Sequence, residues 1–385
     1  MIEPTLSLDD ASNRTWDAVV VGAGPAGAMA ARELVRKGAN VLLVERSRFP
    51  RYKVCGGCLN PRSLSLLKKS GLGKLTDELG AIPLSKLRLG ARGSVADVHL
   101  PRGAGVSREA FDTALVYAAI AAGCAFMPGT SGTLLPPDGK PIRQLRLRNA
   151  NRDYTIASKV VLAAGGLGSK LDAYPEHSER AWEEGSRIGA GVMIPAGTPG
   201  YEVGTIYMAC AHAGYVGQVV VEDGRIDAAA ALDPVAVRSA GGIGELAANI
   251  LEQAGFPPHP DLALLPWKGT PHLTRQAPRL GGERLFTLGD AAGYIEPFTG
   301  EGMAWAFAGA AAVAPLALQT IRDGWDESLL TRWQATYRRE VTKRQGVCRL
   351  TAGLLRRPIT TQVLVRTLGI APWISRPFLS FMYRA

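Results

Sequence analysis

The sequence predicts an α/β protein, and three segments predict it. From Asp17 to Glu45 it reads strand, glycine turn, helix, strand, as DAVVVGAG, PAGAMAARELVRKG and ANVLLVE, where a short apolar run passes into a helical pattern and back again. The run KVVLAAGG, Lys159 to Gly166, has strand length and stops at glycines, and RLFTLGD, Arg284 to Asp290, leads into a long Ala-rich helix. Apolar strands interleaved with helical segments describe a layered α/β fold.

The remaining elements follow in order. A loop rich in Gly, Pro and Arg spans Arg46 to Pro61, and an amphipathic helix near Ser63 to Lys69 breaks at Gly71. Short alternating segments run from Leu84 to Leu100, and a helix from Arg108 to Ala122 ends at Gly123, the residue favoured just past a helix end. Pro136 to Pro141 turns a hairpin whose second strand is Gln144 to Asn149. Trp182 to Asp233 alternates as strands do, and the Asp223-Gly224 pair between apolar runs signals a further hairpin. Gly241 to Gly255 reads as a helix, and the last sixty or so residues are helical with interruptions at Pro358, Pro372 and Pro377.

Composition narrows the class. The 385 residues allow two or three structural units at roughly 150 residues each. With 46% hydrophobic and 20% charged residues the chain is globular, which excludes a disordered or collagen-like protein. The net charge of +10 is concentrated at one end, since Tyr337 to Ala385 holds ten basic residues against one acid, Glu340. A nucleic-acid-binding surface spread over the protein is therefore not expected. Five cysteines with one close pair, Cys55 and Cys58, do not make a disulfide framework. The polar, acidic start is not that of a signal peptide, and a reducing, cytoplasmic setting is expected. The apolar stretch Ala304 to Leu318 carries Pro315 and falls short of the roughly 20 residues of a membrane span, so it reads as a core helix.

Gly22, Gly24 and Gly27 spell G-x-G-x-x-G between a strand and a helix, and Glu45 closes the next strand. In that setting the first glycine permits the turn, the second admits a pyrophosphate and the third lets helix meet sheet, while the acid accepts ribose hydroxyls. Arg46 follows directly as a further cofactor contact. The motif alone does not separate NAD from FAD.

RLFTLGDAAGYIEPFTGEGMAWAFAGA resembles the Gly-Asp fingerprint of flavoproteins with the aromatic-hydroxylase fold. The resemblance implies that Asp290 holds the ribityl chain of FAD with Gly289 making room, and that Pro297, Gly300 and Gly302 form the next loop, before a helix beginning near Met303. SREAFDTAL resembles the family's arginine-led helix near the flavin phosphates, which implies Arg108. KVVLAAGG resembles a strand that often reads AADG, with Gly166 in place of its aspartate. RFPRYKVCGGCLNP resembles the Cys-Gly-Gly loop of the geranylgeranyl reductase family, flavoenzymes that saturate isoprenoid double bonds, and implies that Cys55 lies near flavin and substrate. Three readings of Cys55 stay open: a flavin-proximal residue, a buried inert thiol, or one half of a C-x-x-C dithiol with Cys58. No metal site is expected, because a zinc site would need two more ligands nearby and the five histidines are scattered.

The fold class these readings imply is a Rossmann-type FAD-binding domain built from discontinuous segments, 1–75, 101–172 and 270–325. A mixed β-sheet substrate domain, 76–100 and 173–269, and a helical basic C-terminal region, 326–385, complete it. YVGQVV, Tyr215 to Val220, stands where archaeal-type prenyl reductases carry Tyr-x-Trp-x-Phe-Pro, so Tyr215 is retained while Gly217 replaces the tryptophan. The W-x-W-x-I-P stretch of tryptophan halogenases is missing.

The expected function is FAD-dependent oxidoreduction of a small lipophilic or aromatic molecule, by hydride transfer to a C=C bond with Cys55 and Tyr215 at the reacting face. Hydroxylation of a phenolic or polyketide ring by a flavin monooxygenase is the alternative, and a non-enzymatic lipid carrier is a third class. Only one Rossmann glycine motif is convincing, so NAD(P)H would dock transiently, or another donor would supply electrons. The basic tail, mixed with Leu, Ile, Trp373, Phe378 and Phe381, suits either a solvated helical lid or peripheral contact with the inner face of an anionic membrane. Substrate identity and oligomeric state are not legible.

Overall fold

The computed structural model describes the chain apart from residues 138, 151, 170–181, 258, 278, 297 and 384–385. Two eight-stranded sheets organise it. The first is parallel at its centre: Thr15–Val21 pairs with Val41–Glu45 on one side and Arg152–Ala163 on the other. Ala125–Pro128 and Leu285–Thr287 extend it at either flank, also in parallel.

Residues of these strands are apolar on both faces because both faces are covered. Val41 and Leu43 pack under the helices Pro25–Val35, Arg108–Ala121 and Gly302–Asp323, while Leu42 and Val44 face a second cluster with Leu145, Leu147 and Ile156. That second cover is an antiparallel extension, Thr130–Leu134 on Arg143–Asn149 on the first half of Arg152–Ala163. The helices Pro25–Val35 and Gly302–Asp323 pack on each other although some 270 residues separate them in sequence, and their alanines and glycines suit a close approach.

The second sheet runs in the spatial order Lys268–His272, Ile188–Ile194, Ile226–Leu232, Gly214–Val220, Thr205–Ala211, Ile82–Ala91, Ser94–Gly105 and Cys58–Leu59. It is antiparallel except where Thr205–Ala211 lies parallel to Ile82–Ala91. The Asp223-Gly224 turn joins two of its strands, with Gly224 at φ +81°. The helix Ile243–Ala254 covers one face and ends at Gly255, which adopts φ +76° as a left-handed cap.

Several boundaries differ from the sequence reading. A short helix, Leu8–Ser12, capped by Ser7, precedes the first strand. The alternating segments from Leu84 to Leu100 are one long hairpin, Ile82–Ala91 with Ser94–Gly105. The prolines of the tail begin helices rather than break them: Pro358 opens Pro358–Ile370, Pro372 opens the short turn Pro372–Ser375, and Pro377 sits in the first turn of Arg376–Tyr383. Proline is tolerated there because first-turn N–H groups have no intrahelical acceptor. Among the described residues one helix, Gly302–Asp323, is long and apolar enough to cross a membrane, and 67% of its apolar window is buried inside the protein.

Candidate active site

Val21, Val44 and Ala163 stand side by side in register, so three parallel strands end together. Ligands in such sheets bind outside the carboxyl ends of the strands. Gly22 turns away at φ +105°, donating its N–H to Val44 O at 2.8 Å, and a Cβ on it would come within 2.4 Å of Ala164 O. A Cβ on Gly27 would come within 1.8 Å of Gly22 O. Both are packing positions. Gly24 differs: it caps the helix Pro25–Val35, and a Cβ on it would meet nothing nearer than Arg51 Nη2 at 3.8 Å. Open space therefore lies before a helix amino end, where free N–H groups attract an anion.

Cations gather around this opening. Arg46, Arg51, Lys53 and Arg108 all line one cavity with Gly24 and Glu45. The Glu45 carboxylate accepts from Ala23 N at 2.9 Å and Ser47 N at 3.0 Å, which fixes the acid and the glycine turn relative to each other. Arg108 makes a two-pronged bond to the buried Asp112, at 2.7 Å for each contact, and its side chain is held beside Cys55. Arg51 Nη2 lies 3.2 Å from the same carboxylate, while its Nε and Nη1 are buried with no partner among the described residues. Burial, with Arg108 nearby, holds the Lys53 ammonium below its ordinary value, against the pull of Asp290. The sequence reading singled out Arg108 but missed Arg51, Lys53 and Asp112. Its available signal was the run RSRFPRYK directly after the second strand, four cations in eight residues.

The opposite wall comes from the Gly-Asp segment. Gly289, at φ +64°, would bring a Cβ within 2.8 Å of Ala26 Cβ, so the segment is pressed against the first helix. Asp290 faces the cavity, and burial raises its carboxyl above the usual range, opposed by Lys53, Arg108 and Arg275. Arg275 Nη2 donates to the carbonyls of Asp290 and Gly166 at 2.8 and 3.0 Å, tying the two glycine-rich strand ends together. Gly300, Gly302 and Met303 continue the wall at the amino end of Gly302–Asp323. Glu301, fully buried between them, accepts from Asn60 Nδ2 at 2.5 Å and lies 3.5 Å from Arg62 Nη1. Pro297 lies outside the described residues.

The cavity, about 650 Å³, does not stop at these walls. It continues over Cys55 and Cys58 into an apolar chamber under Gly214–Val220, with Leu84, Met208, Tyr215 and Phe298 on its sides. Tyr215 stacks edge-on against Phe298 at 5.2 Å, lies under Arg187 at 5.9 Å, and has no partner for its hydroxyl among the described residues. Burial, then the neighbouring Glu296, raises the Tyr215 phenol well above its ordinary value. Burial also raises the Cys55 thiol, against the opposing pull of Arg108. Cys55 and Cys58 are both free thiols, and Cys58 lies in a short strand, so the pair is not at the helix amino end that a thioredoxin-like dithiol uses. Gly217 is a wall residue whose Cβ would meet Met208 Cε at 3.2 Å, so Met208 occupies part of the space a tryptophan would need. No group of three or more metal-ligating side chains occurs among the described residues.

FAD fits these walls. The open helix end, with Arg51 Nη2 beside it, suits a pyrophosphate, Glu45 suits a ribose, and Asp290 suits the ribityl hydroxyls. Gly300, Gly302 and the helix amino end behind them suit the electron-rich edge of a flavin ring.

The sequence profile of the FAD binding domain family matches residues 15–345. Menaquinone reductase of Mycobacterium tuberculosis is 33% identical over 176 residues, 43% of this chain and 41% of that protein. Geranylgeranyl diphosphate reductase of Rhodobacter capsulatus is 30% identical over 159 residues, 40% of this chain and 39% of that one. These matches span about two-fifths of the relatives' own length. Among solved structures, a geranylgeranyl bacteriochlorophyll reductase-like protein from Thermoplasma acidophilum superposes with a TM-score of 0.75 at 19% identity, covering 92% of each chain. The flavin-dependent halogenase CmlS superposes with a TM-score of 0.72 at 22% identity, over 86% of this chain and 63% of that one. Identities this low carry the fold and nothing finer.

Proposed function

Because the chain belongs to the FAD binding domain family, we propose that it is an FAD-dependent oxidoreductase that reduces a C=C bond in a lipophilic, isoprenoid-like molecule. The observation that carries this reading is one continuous cavity, polar at the glycine turn and apolar beyond Cys55. Bound FAD, once reduced, supplies a hydride. The protein's own residues do the rest.

Arg51 and the helix amino end hold the pyrophosphate, Glu45 the ribose and Asp290 the ribityl chain. The apolar chamber takes a hydrocarbon and excludes water from the reacting face. Hydride addition to an alkene leaves one carbon needing a proton, so a donor held protonated near that face is required. Cys55 and Tyr215 meet the condition, since burial raises both well into the protonated state at neutral pH. The names of the menaquinone and geranylgeranyl diphosphate reductases support a prenyl chain as the substrate class. The replacement of a tryptophan by Gly217, with Met208 in its place, argues for a chamber shaped differently from that of archaeal-type prenyl reductases. The immediate electron source is NAD(P)H docking transiently or another electron donor.

The test is to reduce the bound flavin without oxygen and mix it with a prenylated quinone or a polyprenyl diphosphate. Reoxidation with two hydrogens gained by the alkene is the expected result. Reoxidation only by oxygen, coupled to hydroxylation of an aromatic ring, would replace the reductase reading with a monooxygenase one. Tyr215→Phe should keep its flavin and slow alkene-dependent reoxidation by about a hundredfold or more, the usual scale for loss of a general acid. In the unmodified protein the rate should stay level as pH rises toward 9.0, the ordinary cysteine value, because burial holds both candidate donors protonated beyond it.

A further inference from the structure

Ten of the seventeen large hydrophobic side chains that are strongly exposed among the described residues lie between Leu350 and Phe381. Eight of them come from three successive helices that are each only partly buried, and two from the short turn between the last two. Lys343–Leu355 buries Cys348, Ala352 and Leu355 and leaves Leu350 and Leu354 outside. Pro358–Ile370 packs Val365 and Leu368 toward the second sheet and exposes Ile359, Val363, Leu364 and Ile370, the last at 87%. Arg376–Tyr383 and the turn before it expose Trp373 at 63% and Phe381 at 61%.

Charge says what covers this face. Between Val341 and Tyr383 the sequence has no acidic residue, and Arg357, Arg366 and Arg376 are exposed among the apolar side chains, while Arg349 pairs with Glu183 at 2.7 Å. Aromatic and aliphatic groups interleaved with arginines match the boundary of an anionic bilayer, where the apolar groups enter the acyl region and the cations meet phosphates. The same helix that carries Phe381 outward lines the cavity with Leu379, Met382 and Tyr383 on its other side, and the half-exposed Phe378 stands at the rim between the two. The wall of the apolar chamber and the exposed face are thus two sides of one eight-residue helix.

We propose that this C-terminal face docks on an anionic lipid bilayer and that a lipophilic substrate enters the cavity from the membrane beside the helix Arg376–Tyr383. The second half rests on the lipophilic-substrate reading; the first does not. Arg356, whose Nη2 meets the buried Glu296 at 2.8 Å, anchors the tail to the body, so docking need not displace it.

The full-length flavin-loaded protein should co-sediment with vesicles of phosphatidylcholine plus phosphatidylglycerol, bind pure phosphatidylcholine at least tenfold more weakly, and be released by added salt. Combining Ile370→Ser, Trp373→Ser and Phe381→Ser should lower binding at least tenfold with flavin content unchanged, and Arg357→Gln with Arg376→Gln should abolish the preference for the anionic vesicles. Three outcomes would overturn the proposal: no binding to either vesicle, binding that these substitutions leave intact, or a dimer in solution that the serine substitutions dissolve. Because the vesicles contain no prenyl substrate, their result stands whatever the alkene-reduction assay gives.

Discussion

Arg51 holds Nη2 beside a helix amino end with open space before it, while its Nε and Nη1 are buried with no hydrogen-bond partner among the described residues. Charge-assisted bonds of this kind contribute about 2 kcal/mol, so Arg51→Met should weaken FAD binding roughly thirtyfold in a fluorescence titration of the flavin-free protein. Asp112 keeps its two-pronged bond to Arg108 in that variant, so the protein should still fold. Asp290 makes the opposite trade. Burial raises its carboxyl, so the folded, flavin-free protein binds a proton that the unfolded chain releases near the ordinary value of 3.8. The ionised side chain therefore destabilises the flavin-free fold at neutral pH and ceases to do so as pH falls below that value. Asp290→Asn should bind flavin less tightly yet melt at a higher temperature than the unmodified flavin-free protein at neutral pH, with the difference closing in acid.

At the scale of the element, the glycine turn separates two roles that the motif alone runs together. Gly27 lies where a Cβ would meet backbone at 1.8 Å, whereas Gly24 faces open space. Gly27→Ala should destabilise the fold by about 3 kcal/mol or more, the upper end for overpacking, because the obstructing atom is a carbonyl that cannot swing aside. Gly24→Ala should unfold at the same urea concentration as the parent while losing most of its FAD affinity, because the added methyl occupies space meant for the pyrophosphate. If both variants lost stability equally, the assignment of that space to the cofactor would fail. The glycine spacing was readable from the sequence because backbone conformation at a tight turn depends on local residues.

For the whole molecule, the cavity is assembled from residues as distant as Gly24 and Met382, so a ligand bound there joins segments that the chain alone leaves far apart. FAD at about one hundred times its dissociation constant should add about 2.7 kcal/mol of stability, and flavin release should coincide with global unfolding when both are followed on heating. The sequence by itself determined the α/β class, the glycine turn, Glu45 and the Gly-Asp segment, because each depends on a local pattern of period, turn chemistry and spacing. It also marked the basic, apolar tail. Only the tertiary structure decided that Arg108 is locked to Asp112 while Arg51 brings Nη2 to the opening at Gly24, that Cys55 and Tyr215 line one chamber, and that the last helix forms a wall of it. Those facts depend on which strands and helices meet across hundreds of residues, and burial, ion pairing and cavity shape are properties of that meeting rather than of any one segment.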